Sequence, residues 1–177
     1  MDVNKYASEI YAQNKAVGWW DNPDRCLFET LQLVSTEVAE GTEGERKDLN
    51  DDHLPERKMG EVELADALIR TLDLGGHCGW EYVAGVQGRQ DYAGWSVGRR
   101  HLHINEAVVD LARNMRTWPP TDAALPRRYS ALVDRIVWVS ETFGYDIEGA
   151  MREKLAYNAK RADHKRENRA KAHGKRF

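Results

Sequence analysis

Residues 59–77 read M-G-E-V-E-L-A-D-A-L-I-R-T-L-D-L-G-G-H. Val62, Ala65, Leu68, Ile69 and Leu72 recur at three- and four-residue intervals, the period of a helix with one apolar side. A second, polar stripe runs through the same segment: Glu63, Asp66, Arg70 and Asp73 stand at i, i+3, i+7 and i+10 and therefore share a face. The alternation of a half-buried strand is absent. Upstream, Leu27, Leu31, Val34 and Val38 make an i, i+4, i+7, i+11 stripe that predicts another amphipathic helix from about Asp24 to Lys47. Polar Asp48–Pro55 between the two reads as a loop.

The same periodicity extends in both directions. Tyr6, Ala7, Ile10 and Tyr11 predict a first helix to about Lys15, with Asp2 as its N-cap and Gly18–Pro23 as its end. Residues 75–100 hold seven glycines and little apolar period, and predict an irregular excursion. Helices are expected again over His103–Met115, stopped by Trp118-Pro119-Pro120, over about Arg128–Phe143, and from near Ile147 through Met151, Leu155 and Ala159. Five to six helices and no convincing strand predict an all-α helical bundle in one domain spanning 1–177.

The chain has 177 residues, 41% hydrophobic and 31% charged, with mean hydropathy −0.71. It has room for one compact core. No apolar run approaches the roughly 18 residues a membrane helix needs, so no membrane partner is expected. The first residues, M-D-V-N-K, lack the apolar core of a secretory signal, and a cytoplasmic location is expected. Cys26 and Cys78 do not form a metal-type or disulfide framework. Residues 152–177 carry ten Lys or Arg against three Asp or Glu, although the net charge is −3. An acidic body therefore precedes a basic tail, 162–177.

The carboxylates carry the chemical signal. Glu37 and Glu40, one turn apart, leave their helix on one side at the border of its apolar stripe, and Glu63 and Asp66 repeat the arrangement on the next. Antiparallel packing of the two helices would bring four carboxylates together. Their repulsion demands a counter-ion, and an all-oxygen donor set suits Mg²⁺, with Mn²⁺ possible. Surface acids on amphipathic helices are the plainer reading of a single pair. Lys154, Asn158 and Arg161, at i, i+4 and i+7 on the last helix, offer an ammonium, an amide and a guanidinium on one face, suited to gripping phosphate. Trp19 and Trp20, beside the helix break, offer an aromatic surface for a nucleobase, although one of the two is expected to staple the first helix to the core.

The segments S-T-E-V-A-E (35–40), E-L-A-D (63–66) and K-L-A-Y-N-A-K-R (154–161), with D-D-H-L-P (51–55) and the tail R-A-D-H-K, resemble the MazG-like all-α nucleoside triphosphate pyrophosphohydrolases, and phage-type members in particular. The resemblance covers roughly residues 1–78 and 138–177 and leaves 79–135 as an insertion. It implies a helical, homo-oligomeric enzyme, a dimer or tetramer. Mg²⁺ would be held by Glu37, Glu40, Glu63 and Asp66. The α–β phosphate bond of a (d)NTP would be hydrolysed to the (d)NMP and pyrophosphate. Glu37 or Glu40 is nominated as the base that orients or deprotonates water. Thr36 departs from the family, many members having glutamate there.

Competing patterns are weaker. Gly94-Trp95-Ser96-Val97-Gly98 matches the nucleophile elbow of serine hydrolases but lacks the buried strand that must precede it. His101 and His103 have no third metal ligand in the sequence. A non-enzymatic alternative is a helical nucleic-acid-binding or assembly module acting through the basic tail. The acidic body argues against a broad nucleic-acid surface.

Overall fold

In the computed structural model, residues 1–116, 124–162, 166–169 and 171 are described, and they form an all-α bundle. Its helices are α1 (Val3–Ala16), α2 (Leu27–Lys47), α3 (Met59–Cys78), α4 (Val97–Met115), α5 (Ala124–Thr142), α6 (Ile147–Asn158) and the one-turn α7 (Arg166–Arg169). The described residues thus hold seven helices where the periodicity predicts five or six. The extra one is only four residues long. The expected stop at Trp118–Pro120 and most of the basic tail lie outside the described residues.

The central element is α3, which packs against α1, α2, α5 and α6. Leu64, Leu68 and Leu72 are fully buried, each stabilising the fold by roughly 1.5–3 kcal/mol. Between Gly60 and Gly75 only Asp66 and Arg70 keep partial exposure. The apolar period therefore places α3 in the core, and the polar stripe opens one narrow strip of it.

Helices α2 and α3 form an antiparallel hairpin in which contacts descend α2 as they climb α3. Gly44 lies against Met59 and Gly60, Gly41 against Glu63, and Glu37 against Arg70. A Cβ on Gly44 would stand 2.8 Å from that of Met59 and 3.0 Å from the Gly60 nitrogen, so this glycine lets the two backbones approach closely. The connection is held by Asp51, whose Oδ1 accepts from the backbone N–H groups of His53 and Leu54 at 2.9 and 2.8 Å. Arg57 ties it to α6 and α3 through Glu153 at 2.7 Å and Glu61 at 2.8 Å.

Asp2 caps α1 by accepting from the Lys5 N–H at 3.1 Å. Residues 80–96 contain no helix, as their glycine content predicts. Helix α4 starts six residues before the expected His103, because Ser96 caps it by accepting from the Arg99 N–H. Ser96 is thus a helix cap, and no strand precedes it. His101 is buried and pairs its Nδ1 with the Thr42 hydroxyl at 2.7 Å, while His103 pairs with Glu106. Neither histidine lies in a group able to hold a metal among the described residues. No described helix is long and apolar enough to cross a membrane.

Candidate functional site

The α2–α3 hairpin brings Glu37, Glu63 and Asp66 together, with one carboxylate oxygen of each within 4.8 Å of the others. Glu37 and Glu63 are buried, and Asp66 keeps 15% of its side chain exposed. Glu40, one turn beyond Glu37, is exposed and lies outside this cluster. Of the four acids the sequence expects to converge, three do so. The fourth diverges because α2 turns its side chain to the surface.

Three close carboxylates repel, and the protein answers with two cations and with surroundings that favour the protonated form of Glu63. The Arg70 guanidinium binds Glu37 Oε1 through both Nε and a terminal nitrogen. From α6, Lys154 places Nζ 3.0 Å from Asp66 Oδ2. Burial pushes the Glu63 carboxyl up to about 9, with Asp66 and Glu37 adding to the rise and Lys154 opposing it. Burial also raises Asp66, against the pull of Lys154. For Lys154, burial acts to depress the ammonium, but its charged neighbours, Asp66 first, hold it above the ordinary lysine value. Such a cluster of hard oxygen donors fits a divalent cation, which would replace the proton on Glu63 and compete with Lys154.

Asp66 and Arg70 also border a cavity of about 590 Å³ enclosed by α1, α2, α3, α6 and the 17–25 loop. That volume is in the range of small-molecule sites. Trp19, Asn158 and Arg161 line it, so one of the two tryptophans and two of the three phosphate-grip residues reach a common space. The other two are placed differently. Lys154 is buried, 3% exposed, and spends its charge on Asp66. Trp20 stacks on His77 with ring centroids 3.8 Å apart, carries the Arg25 guanidinium over its face, and donates its indole N–H to Asp73 at 3.0 Å. It supports the cavity from behind and does not border it.

Several lining residues escape the motif reading: Asn14, Arg25, Thr30, Arg70 and Asp73. Arg70 and Asp73 already belong to the polar stripe of α3. Extending the register of Glu37 back two turns reaches Thr30, so this residue had a signal too. Arg25 has none, since a loop residue has no period. Burial lifts the Asp73 carboxyl to about 6, opposed by hydrogen bonds from Trp20 and Asn14 and by the charges of Arg25 and Arg70. On the lining, Thr30 Oγ1 and Asn158 Oδ1 are buried without a hydrogen-bond partner.

No family model matches the chain, and neither a curated protein nor a solved structure does.

Proposed function

We propose that this protein is a divalent-cation-dependent nucleoside triphosphate pyrophosphohydrolase that cleaves between the α and β phosphates. The observation that carries the reading is the position of the Glu37–Glu63–Asp66 cluster beside a nucleotide-sized cavity that Trp19, Asn158 and Arg161 also line. The resemblance of the three motif segments to MazG-like enzymes supplies the reaction class.

When bound at the three carboxylates, Mg²⁺ would polarise phosphoryl oxygens and lower the pKa of a coordinated water. The chain's own residues set the geometry. Lys154 and Arg70 hold Asp66 and Glu37 in fixed positions, so the donor set is assembled before any ligand arrives. Glu37 lies within the cluster and is better placed than exposed Glu40 to orient a water. Arg161 would bind phosphate oxygens, and the Asn158 amide would contact a phosphate or sugar oxygen. Trp19 would pack against the nucleoside, whose apolar faces also meet Ile69 and Leu33 on the cavity wall.

The test is to incubate the protein with each common NTP and dNTP plus Mg²⁺ and identify the products. A monophosphate with pyrophosphate, abolished by chelator, is expected. Orthophosphate as the first product, or full activity in chelator, contradicts the proposal.

A further inference from the structure

Thr30 and Asp73 line the same cavity, on facing helices, for a reason of register. Thr30 precedes Glu37 by seven residues on α2, and Asp73 follows Asp66 by seven on α3. Two turns later, the same faces of an antiparallel pair meet again. Seven residues rise about 10 Å along a helix, comparable to the reach from an α-phosphate across a sugar to the far edge of a base. The two residues therefore stand where a nucleotide anchored at the carboxylate cluster would present its base.

Their chemistry is unusual for a core. Thr30 is 2% exposed, and its hydroxyl borders the cavity with no hydrogen-bond partner. A buried hydroxyl is rarely left unsatisfied unless something else completes it. Asp73, 5% exposed, accepts from Trp20 through Oδ1 and from the Asn14 side chain. A carboxylate has about four lone-pair positions, so acceptor capacity remains for a ligand. The pair thus offers an acceptor beside a hydroxyl that can donate.

Resting on the nucleotide reading above, we infer that Thr30 and Asp73 form a base-reading pair that selects an amidine edge, the amino group and adjacent ring nitrogen shared by cytosine and adenine. Asp73 accepts from the exocyclic amine, and the Thr30 hydroxyl donates to the ring nitrogen. A carboxylate accepting from the cytosine amine is a known geometric match, whereas thymine presents a carbonyl at that position. Uracil and thymine would set that carbonyl against Asp73 and present a ring N–H, a donor, where the hydroxyl would find an acceptor in cytosine or adenine.

The experiment measures affinity for CMP, AMP, UMP and TMP by titration calorimetry at pH 8, on the native protein, Thr30→Val and Asp73→Asn. CMP and AMP are expected to bind at least about tenfold more tightly than UMP and TMP, the scale of a hydrogen bond to a charged group. Thr30→Val should lose about tenfold for CMP and AMP and little for UMP. It removes a hydroxyl that has no partner, so its melting temperature should not fall. Asp73→Asn, which can donate to a carbonyl, should narrow or invert the preference. Equal affinity for all four, no binding of any, or a Thr30→Val protein that binds CMP and AMP as tightly as the native one overturns the inference. Hydrolysis of every triphosphate without discrimination would overturn it while leaving the proposed activity standing. Discriminating binding without hydrolysis would do the reverse.

Discussion

Lys154 and Asp66 meet at 3.0 Å inside the bundle, joining the last long helix to the centre of α3. Lys154 is therefore a structural counter-ion before it is anything to a substrate. In chelator, Lys154→Met should cost about 3–5 kcal/mol in urea denaturation, because it strands a buried acid. Adding Asp66→Asn to that variant should recover much of the loss. If Lys154→Met proves neutral alone, the ammonium is not balancing the cluster.

Glu63→Gln should behave in the opposite way. Burial and the neighbouring Asp66 and Glu37 carboxylates push the Glu63 carboxyl well above the ordinary glutamate range, favouring its neutral form in the metal-free protein, which glutamine mimics. Stability at pH 7 should stay within about 1 kcal/mol of the native protein, an ordinary mutational scatter. Turnover should fall by roughly 10²-fold or more, at or beyond the effect of losing a residue that merely orients a metal ligand. Melting curves and steady-state rates on one preparation check both statements.

The buried His101 predicts a pH response away from the site. Burial lowers its pKa to about 4, from an ordinary value of 6.5, and the charge of Arg100 acts in the same direction. The folded-state value lies below the unfolded one, so unfolding takes up a proton between them. Stability from this group is complete above about 6.5 and is lost as pH falls toward 4, on the order of 3 kcal/mol. Urea midpoints of the native protein and His101→Gln across that window should converge at low pH, the native one falling more steeply. Parallel slopes would refute the assignment.

Gly75 predicts a packing effect. It sits on α3 directly beneath the buried Tyr129 ring of α5, and an added Cβ would collide with that ring. Gly75→Ala should destabilise by about 1–3 kcal/mol despite alanine's better helix propensity. A melting temperature at or above that of the native protein would show that α5 yields freely.

The α3 stripe explains how much of this was legible. Val62, Leu68 and Leu72 face the core as their period says, and Glu63 and Asp66 converge with Glu37 because antiparallel pairing follows from a short polar loop. Glu40 was misplaced because spacing cannot tell which side of an apolar stripe a neighbouring helix covers. Lys154 shared a face with Asn158 and Arg161 in sequence, but α6 docks on α3 at Lys154 and turns its ammonium inward. Trp20 was indistinguishable from Trp19 until His77 and Asp73 appeared beside it. Arg25 carries no periodic signal at all, since its position depends on how the 17–25 loop folds over the cavity.

The central claim is metal-dependent attack on the α-phosphate at the three-carboxylate cluster. Its most direct test is hydrolysis of a triphosphate with Mg²⁺ in ¹⁸O-labelled water, followed by ³¹P NMR of the products. The account predicts that the label appears in the nucleoside monophosphate, that pyrophosphate is unlabelled, and that Glu63→Gln forms both products at a rate lowered by roughly 10²-fold or more. Label in the pyrophosphate, release of orthophosphate, or no turnover of any nucleoside triphosphate by the native protein would contradict it.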